Sequence, residues 1–359
     1  MPMYSPTSNR AVVWVGRRKL EIQQRPVVAP GDDEVLVKVM ATGLCGSDCR
    51  NWENDAVSKQ LVLGHESSGV IEQVGSKVNG RFVGQRVAIE PGDPCRDCEF
   101  CLKGRPNICA NLKYCGLDPT DGSLVQLYTC RAALTVPIPD NVSWEEAGAI
   151  QPLAVAVQVS RRAAFNIGQT LAIFGCGPLG LLILAVARAH GVGKIVMLDT
   201  KASRAEFAQK YGADAGICTP KLPEAGTDDQ DFTQKYANKI ISDQGVGHGF
   251  DVVVLACGSE SAAQMAVSMV KAGGNVVQAG LGDPLSHIPF TDITAKEVMI
   301  TGVCRYTPGC FADAVGLISR KIVDLRPLVT STYPLTKAND AFAAQYSRKH
   351  IKVIIMNQE

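Results

Sequence analysis

No stretch of this 359-residue chain concentrates lysine or arginine, and 36 basic against 35 acidic residues leave a net charge of only +1. Nucleic acid and anionic membrane surfaces therefore have no electrostatic footprint here. Long unbroken apolar runs are missing as well. The uncharged segment 171–187 is cut by Gly175, Gly177, Pro178 and Gly180, whereas a membrane span needs about 20 consecutive apolar residues. It reads as a buried strand, turn and helix. Residues 1–10 carry no apolar core of a secretory leader, so none is expected there. Internal repeats and low-complexity segments are also lacking. What remains, 46% hydrophobic and 20% charged residues, is ordinary for a soluble globular protein. At roughly 150 residues per domain the length suits two domains.

Cysteine is plentiful instead. Thirteen is an odd number and a high one, and four of them crowd between Cys95 and Cys109. A secreted disulfide scaffold would be shorter, with its cysteines spread through the chain. The crowding points to a reducing compartment, the cytoplasm, and to a metal.

Three textures divide the chain into an α/β protein. Up to about residue 155, short valine-rich runs at 34–40, 68–74 and 86–89 alternate with Gly, Pro and Asp, the pattern of a β-rich domain with many turns. From 156 to 294, strands at 171–174, 194–198, 251–256 and 275–279 alternate with helices at 179–190, 203–211 and 261–271. That alternation predicts βαβ units and a doubly wound parallel sheet. Residues 295–359 are expected to return to the first domain.

Gly175-Cys176-Gly177-Pro178-Leu179-Gly180 is a G-x-G-x-x-G turn. Alone it says little, but it follows an apolar strand and opens a helix, and Asp199 ends the next strand 19 residues after Gly180. The glycines permit a tight turn, approach of the backbone to a pyrophosphate, and close helix–strand packing, while the helix N-terminus attracts the phosphates. Asp199 would accept from the adenosine ribose hydroxyls and repel a 2′-phosphate, which favours NAD over NADP. A purely structural strand–helix turn is the alternative. Arg204 is open to three readings: stacking on adenine, pairing with Asp199, or a solvated helix position.

Cys95-x2-Cys98-x2-Cys101-x7-Cys109 can close a tetrahedral zinc site without help from the rest of the chain. The competing iron–sulfur run has three residues before its last Cys and a Pro after it; here the gap is seven and Ala110 follows. Four unrelated reduced thiols are the third reading. A tetrathiolate site leaves no position for chemistry. Cys45, His65 and Glu66 form a dispersed second set, and three protein ligands with one open position describe a catalytic zinc. Among five histidines only His65 sits in a Gly-His-Glu turn; His190, His248, His287 and His350 read as structural or solvent-facing.

Cys45-Gly46-Ser47-Asp48, Gly64-His65-Glu66-x2-Gly69-Val70-x4-Gly75, the four-cysteine lobe and the dinucleotide turn occur in this order. The chain thereby resembles the zinc-dependent medium-chain alcohol dehydrogenases over nearly its whole length. It looks most like their sorbitol/xylitol (polyol) branch. The carriers of that closer match are Ala88-Ile89-Glu90-Pro91-Gly92, Pro152-Leu153-Ala154-Val155, Gly302-Val303-Cys304-Arg305-Tyr306 and Pro327-Leu328-Val329-Thr330. The resemblance implies a GroES-like catalytic domain with both zinc sites, an inserted Rossmann domain and a homotetramer.

It also implies roles. Cys45, His65 and Glu66 fall where the catalytic zinc is bound, and Ser47 where a hydroxyl passes the substrate proton on. Gly175, Gly177, Leu179, Gly180, Asp199 and Arg204 fall on the cofactor, as do Ala279, Gly280, Leu281, Val303, Cys304 and Arg305 at strand ends beside the nicotinamide. Arg305 and Tyr306 fall where the branch contacts the polyol. Three positions depart from the branch: Gln151 replaces a Glu bound to zinc or its water, Arg50 a His, and Asn51 a substrate-contacting Tyr. A neutral Gln151 leaves the zinc surroundings one charge more positive, and it can orient a water or donate to a substrate hydroxyl. Arg50 cannot accept a proton at ordinary pH, so a relay must reach solvent another way. The expected activity is reversible oxidation of a secondary alcohol, such as a polyol, to a ketone with NAD. Two alternatives stand beside it: a tailoring enzyme for a larger or less polar metabolite, and a non-catalytic zinc scaffold.

Overall fold

Valine at every second position of residues 34–39 makes one face of a strand apolar, and a strand with such a face needs a partner layer. In the computed structural model, which describes residues 9–53, 60–220 and 230–359, this strand, Glu34–Gly43, is the centre of a seven-stranded sheet. It pairs antiparallel with Glu66–Val74, Leu127–Arg131 and Lys352–Met356. Residues 1–8, most of the stretch read for a leader, lie outside the described residues. Val35, Val37 and Val39 pack with Val12, Ile71, Val87, Phe342, Val353 and Ile355 in one core. That core draws on both ends of the chain.

The chain divides into two compact units, Met1–Ala154 with Thr307–Glu359, and Val155–Tyr306. The return to the first unit comes at Thr307 rather than near residue 295. The cause is the strand Met299–Gly302, which hydrogen-bonds in parallel to Val270–Gln278 and so belongs to the second sheet. Four residues reading MITG carry too little pattern to announce a strand.

The second unit is a six-stranded, all-parallel sheet. Its order is Ala215–Cys218, Lys194–Asp199, Thr170–Phe174, Phe250–Leu255, Val270–Gln278, Met299–Gly302. In sequence this is 3-2-1-4-5-6, a doubly wound sheet whose order reverses between Thr170–Phe174 and Phe250–Leu255. Ligands of such sheets bind outside the carboxyl ends of the strands at that reversal. The helix expected at 261–271 runs Glu260–Met269, capped by the Ser259 hydroxyl on the Ala262 N–H. It stops early because Val270 joins the ladder opposite Phe250. Among the described residues no helix is long and apolar enough to cross a membrane.

Candidate active site and metal centres

Cys45 lies two residues past the end of the central strand and just before the helix Gly46–Glu53. His65 and Glu66 sit where the neighbouring strand begins. Because those strands pair as Gly43 with Glu66, residues twenty positions apart converge. Ligand atoms of Cys45, His65 and Glu66 all lie within 4.8 Å of one another. His65 and Glu66 are buried and Cys45 is half-buried.

Asp48 fastens this group, a role the sequence reading did not give it. One carboxylate oxygen accepts from the Cys45 N–H at 3.0 Å, and the other accepts from the Gly64 N–H at 3.2 Å and stands 3.4 Å from His65 Nδ1. Burial works against this carboxylate, but His65 and the two backbone donors outweigh it and hold its pKa below the usual range. With Nδ1 turned to Asp48, His65 keeps Nε2 for a metal, the arrangement that orients ligating imidazoles generally.

Glu66 has a second partner that sequence reasoning missed. Lys352, buried like Glu66 itself, forms an ion pair with it and donates to the Leu44 carbonyl at 3.0 Å. The packing here is tight enough to require glycine at position 43. A Cβ there would stand 2.6 Å from Glu66 Oε2 and 2.8 Å from Lys352 Cε, and would strike the Gly148 carbonyl oxygen. No short-range pattern announces a lysine 286 positions from its carboxylate.

Ser47 and Asn51 occupy i and i+4 of the Gly46–Glu53 helix and so share a face. Ser47 and Arg50 are exposed and Asn51 is half-buried. Gln151, in the first turn of the helix Ile150–Ala163, is buried and donates through Nε2 to the Tyr114 hydroxyl at 3.1 Å. The Tyr114 ring in turn lies against the His65 ring, with centroids 5.7 Å apart and planes tilted by 52°. Tyr114, too, was not singled out from the sequence.

The four cysteines of the lobe assemble without contribution from elsewhere. Sulfur separations are 3.5 Å for Cys98–Cys101 and Cys95–Cys109 and 4.0 Å for Cys95–Cys101. A tetrahedron with Zn–S bonds of about 2.3 Å has edges of about 3.8 Å, so the spacing fits zinc. The Cys101 backbone N–H draws the Cys98 thiol down to about 7, while Asp97 holds the Cys95 thiol up and burial raises that of Cys101. Phe100 and Leu102 are exposed, and the helix Glu99–Leu102 buries nothing. The lobe therefore has almost no core of its own to hold it. All thirteen cysteines are free of disulfides.

In the second unit the glycine turn links Thr170–Phe174 to the helix Pro178–Ala189. Gly175 has φ +101°, and a Cβ on Gly180 would run into the Gly175 carbonyl oxygen, so both positions require glycine. Asp199, closing the neighbouring strand, accepts from the Cys176 and Lys201 N–H groups at 2.9 Å each. Its carboxylate is thereby aimed at the turn. The half-buried Arg204 reaches the same turn, with Nη1 4.0 Å from where a Cβ on Gly177 would be. Ala279, Gly280 and Leu281 leave one strand and Val303, Cys304 and Arg305 the next, at the same carboxyl edge. Arg305 holds a left-handed backbone at φ 53°, and Tyr306 is buried.

Comparison with known proteins agrees with this geometry. Residues 31–140 match the family model of the alcohol dehydrogenase GroES-like domain, and residues 178–320 that of the zinc-binding dehydrogenases. A probable D-xylulose reductase A of Aspergillus fumigatus is 37% identical over 353 residues, covering 97% of this chain and 96% of that one. The D-xylulose reductase A of Aspergillus oryzae is 36% identical over the same shares. Among solved structures, an Escherichia coli alcohol dehydrogenase complexed with NADH superposes with a TM-score of 0.88 at 26% identity, covering 98% of this chain and 100% of that one. The Escherichia coli L-idonate 5-dehydrogenase gives 0.85 at 25%, covering 98% of both chains.

Three outcomes follow from this architecture. Cys98→Ser should lower zinc from two ions per chain to one and loosen the lobe, because a structural zinc contributes to folding directly. His65→Ala should also lose one zinc but leave the fold intact and activity nearly abolished. Metal analysis and thermal melts read both. Lys352→Met strands the Glu66 charge, which should cost about 3–5 kcal/mol once a chelator has emptied the site, and clearly less with zinc bound. Equal losses in urea with and without zinc would remove Glu66 from the ligand set.

Proposed function

The chain belongs to the zinc-dependent alcohol dehydrogenases, and on that premise we propose that it reversibly oxidises a secondary alcohol of the polyol class to a ketone with NAD. The observation that carries this reading is the convergence of Cys45, His65 and Glu66 into a buried three-ligand set. A non-catalytic scaffold would need only the closed four-cysteine lobe. The names of the relatives, D-xylulose reductase and L-idonate 5-dehydrogenase, support a polyhydroxy substrate.

When bound, zinc polarises the alcohol oxygen and the nicotinamide accepts the hydride. The chain's own residues supply position and proton traffic. Cys45, His65 and Glu66 hold the metal, and Asp48 keeps His65 turned to it through Nδ1. Ser47, exposed beside Cys45, takes the substrate proton and passes it to solvent. Arg50, one turn on, has no basic atom to receive it. The Gly175–Gly180 turn and the N-terminus of the Pro178–Ala189 helix receive the pyrophosphate, with Arg204 beside them. Asp199 accepts from the adenosine ribose, and Leu179 lines the turn. Ala279 to Leu281 and Val303 to Arg305 flank the nicotinamide, and Asn51, on the face of Ser47, meets the substrate. The balanced reaction gives ketone, NADH and one proton.

The same reading has the enzyme working in the cytoplasm, which thirteen free cysteines favour. It also has it acting as a homo-oligomer, a tetramer by resemblance. The strand Met299–Gly302 ends its sheet with Met299 and Ile300 exposed, an edge open to pairing.

Screening alcohols and ketones for NAD(H) turnover tests the reading; polyols and ketoses should lead, and no NAD(H) turnover with any of them would overturn it. Asp199→Ala should weaken NAD about tenfold, the worth of hydrogen bonds to a charged acceptor, and weaken NADP less. A wild-type preference for NADP in titration calorimetry would displace Asp199 from the ribose.

A further inference from the structure

A carboxylate has two oxygens, and both can close on one metal ion. A Glu66 that did so would join Cys45 and His65 as a set of four donor atoms. The position that separates a catalytic zinc from a structural one would then be filled by the protein itself. The second oxygen therefore decides whether the site is open. In this structure Oε2 is taken. It forms the ion pair with the Lys352 ammonium and lies against the neighbouring strand, where a Cβ at position 43 would stand 2.6 Å from it. Oε1 accepts no hydrogen bond from the described residues and is the oxygen left for a metal.

Lys352 is itself fixed. Its ammonium donates to the Leu44 carbonyl at 3.0 Å, and the Leu44 N–H donates to the Val353 carbonyl at 2.9 Å. Leu44 immediately precedes Cys45, so side chain and backbone both tie the cation to a segment that carries a ligand. The two side chains are 4% and 1% exposed for Lys352 and Glu66, and neither reaches water without giving up the pair. Burial also strengthens the field. With little water between them, a cation already on Oε2 repels a second cation approaching the same oxygen.

We infer that Lys352 is a positioning residue: by holding Oε2 it keeps Glu66 a one-oxygen ligand and so keeps the fourth coordination position for substrate. This rests on the proposed zinc-dependent chemistry and adds the group that stops the site from closing on itself. Removing the ammonium should have two opposite effects. Glu66, unpaired and free to offer both oxygens, should hold zinc more tightly, because the metal then relieves a stranded buried charge. The fourth position should take an outside ligand less well. A lysine that only supported the fold would, when lost, weaken both.

The test titrates the full chain, loaded with two zinc ions and free of NAD, with imidazole, a neutral ligand for an open zinc position. Chelator competition measures zinc affinity, with His65→Ala protein reporting the lobe alone. In Lys352→Met, imidazole affinity should fall about tenfold, the usual worth of a group that orients a ligand, while zinc affinity at the Cys45 site rises. Adding Glu66→Gln to Lys352→Met leaves an amide with one oxygen and no charge. Imidazole affinity should then recover to near the wild-type value, and zinc affinity should drop below it. Lys352→Gln keeps a polar group in the buried space and should move both affinities in the same directions, which serves if Lys352→Met does not fold. Unchanged imidazole affinity in the single variants overturns the inference. So does a fall in both affinities together, or a double variant that binds imidazole no better than Lys352→Met. All three leave the dehydrogenase reading in place. A wild type that binds no zinc beyond the ion of the lobe overturns the reading and the inference together.

Discussion

The first unit is organised around a carboxylate that has to be charged where water is scarce. Removing an ion from water costs several kcal/mol even after relaxation, and only a well-placed counter-charge offsets it. Glu66 has such a counter-charge in Lys352. Lys352 belongs to the last strand of the chain, and Glu66 to an early one. The pair forms only if the chain returns from the second unit and lays Lys352–Met356 against Glu34–Gly43. The insertion of one unit into the other, the glycine at position 43 and the pairing of the first and last strands are thus parts of one arrangement. Metal binding adds a second cation to a carboxylate that already has one, which lets the site exist before the metal arrives.

The two cysteine-containing sites solve opposite problems. The lobe from Cys95 to Cys109 has four thiols at metal-ligand spacing and little apolar cover, so a closed tetrathiolate centre would hold it together. The Cys45 site has the core of the unit behind it and needs no metal to be in place. It can therefore leave a coordination position to substrate. Asp48 supplies the rigidity there, because one carboxylate binds both segments that carry the ligands.

What the sequence made legible is what lies close along the chain. The lobe spans fifteen residues, the glycine turn and Asp199 are joined by one βαβ unit, and Gly64-His65-Glu66 is contiguous. Each is a local pattern with a physical reason. The strand Met299–Gly302 escaped notice because it is four residues long, and the domain return was placed too early in consequence. Lys352 and Tyr114 escaped because nothing near them in sequence signals a ligand or a site. Strand pairing brings Lys352 to Glu66 and the fold brings Tyr114 to a helix that carries Gln151, across 286 and 37 positions. Gln151 was visible as a substitution, but its hydrogen-bond partner, and hence its effect, depended on the fold.

Cohesion of the lobe and chemistry at the Cys45 site both require each chain to hold two unlike zinc ions, one bound by sulfur alone and one by a mixed set with a vacancy. Zinc-edge X-ray absorption of the fully loaded protein measures this directly. One tetrathiolate and one Cys-His-Glu centre give an average of about 2.5 sulfur ligands per zinc at about 2.3 Å, with the remainder nitrogen and oxygen near 2.0–2.1 Å. An average of four sulfurs, or of one, would contradict the pairing of a closed centre with an open one.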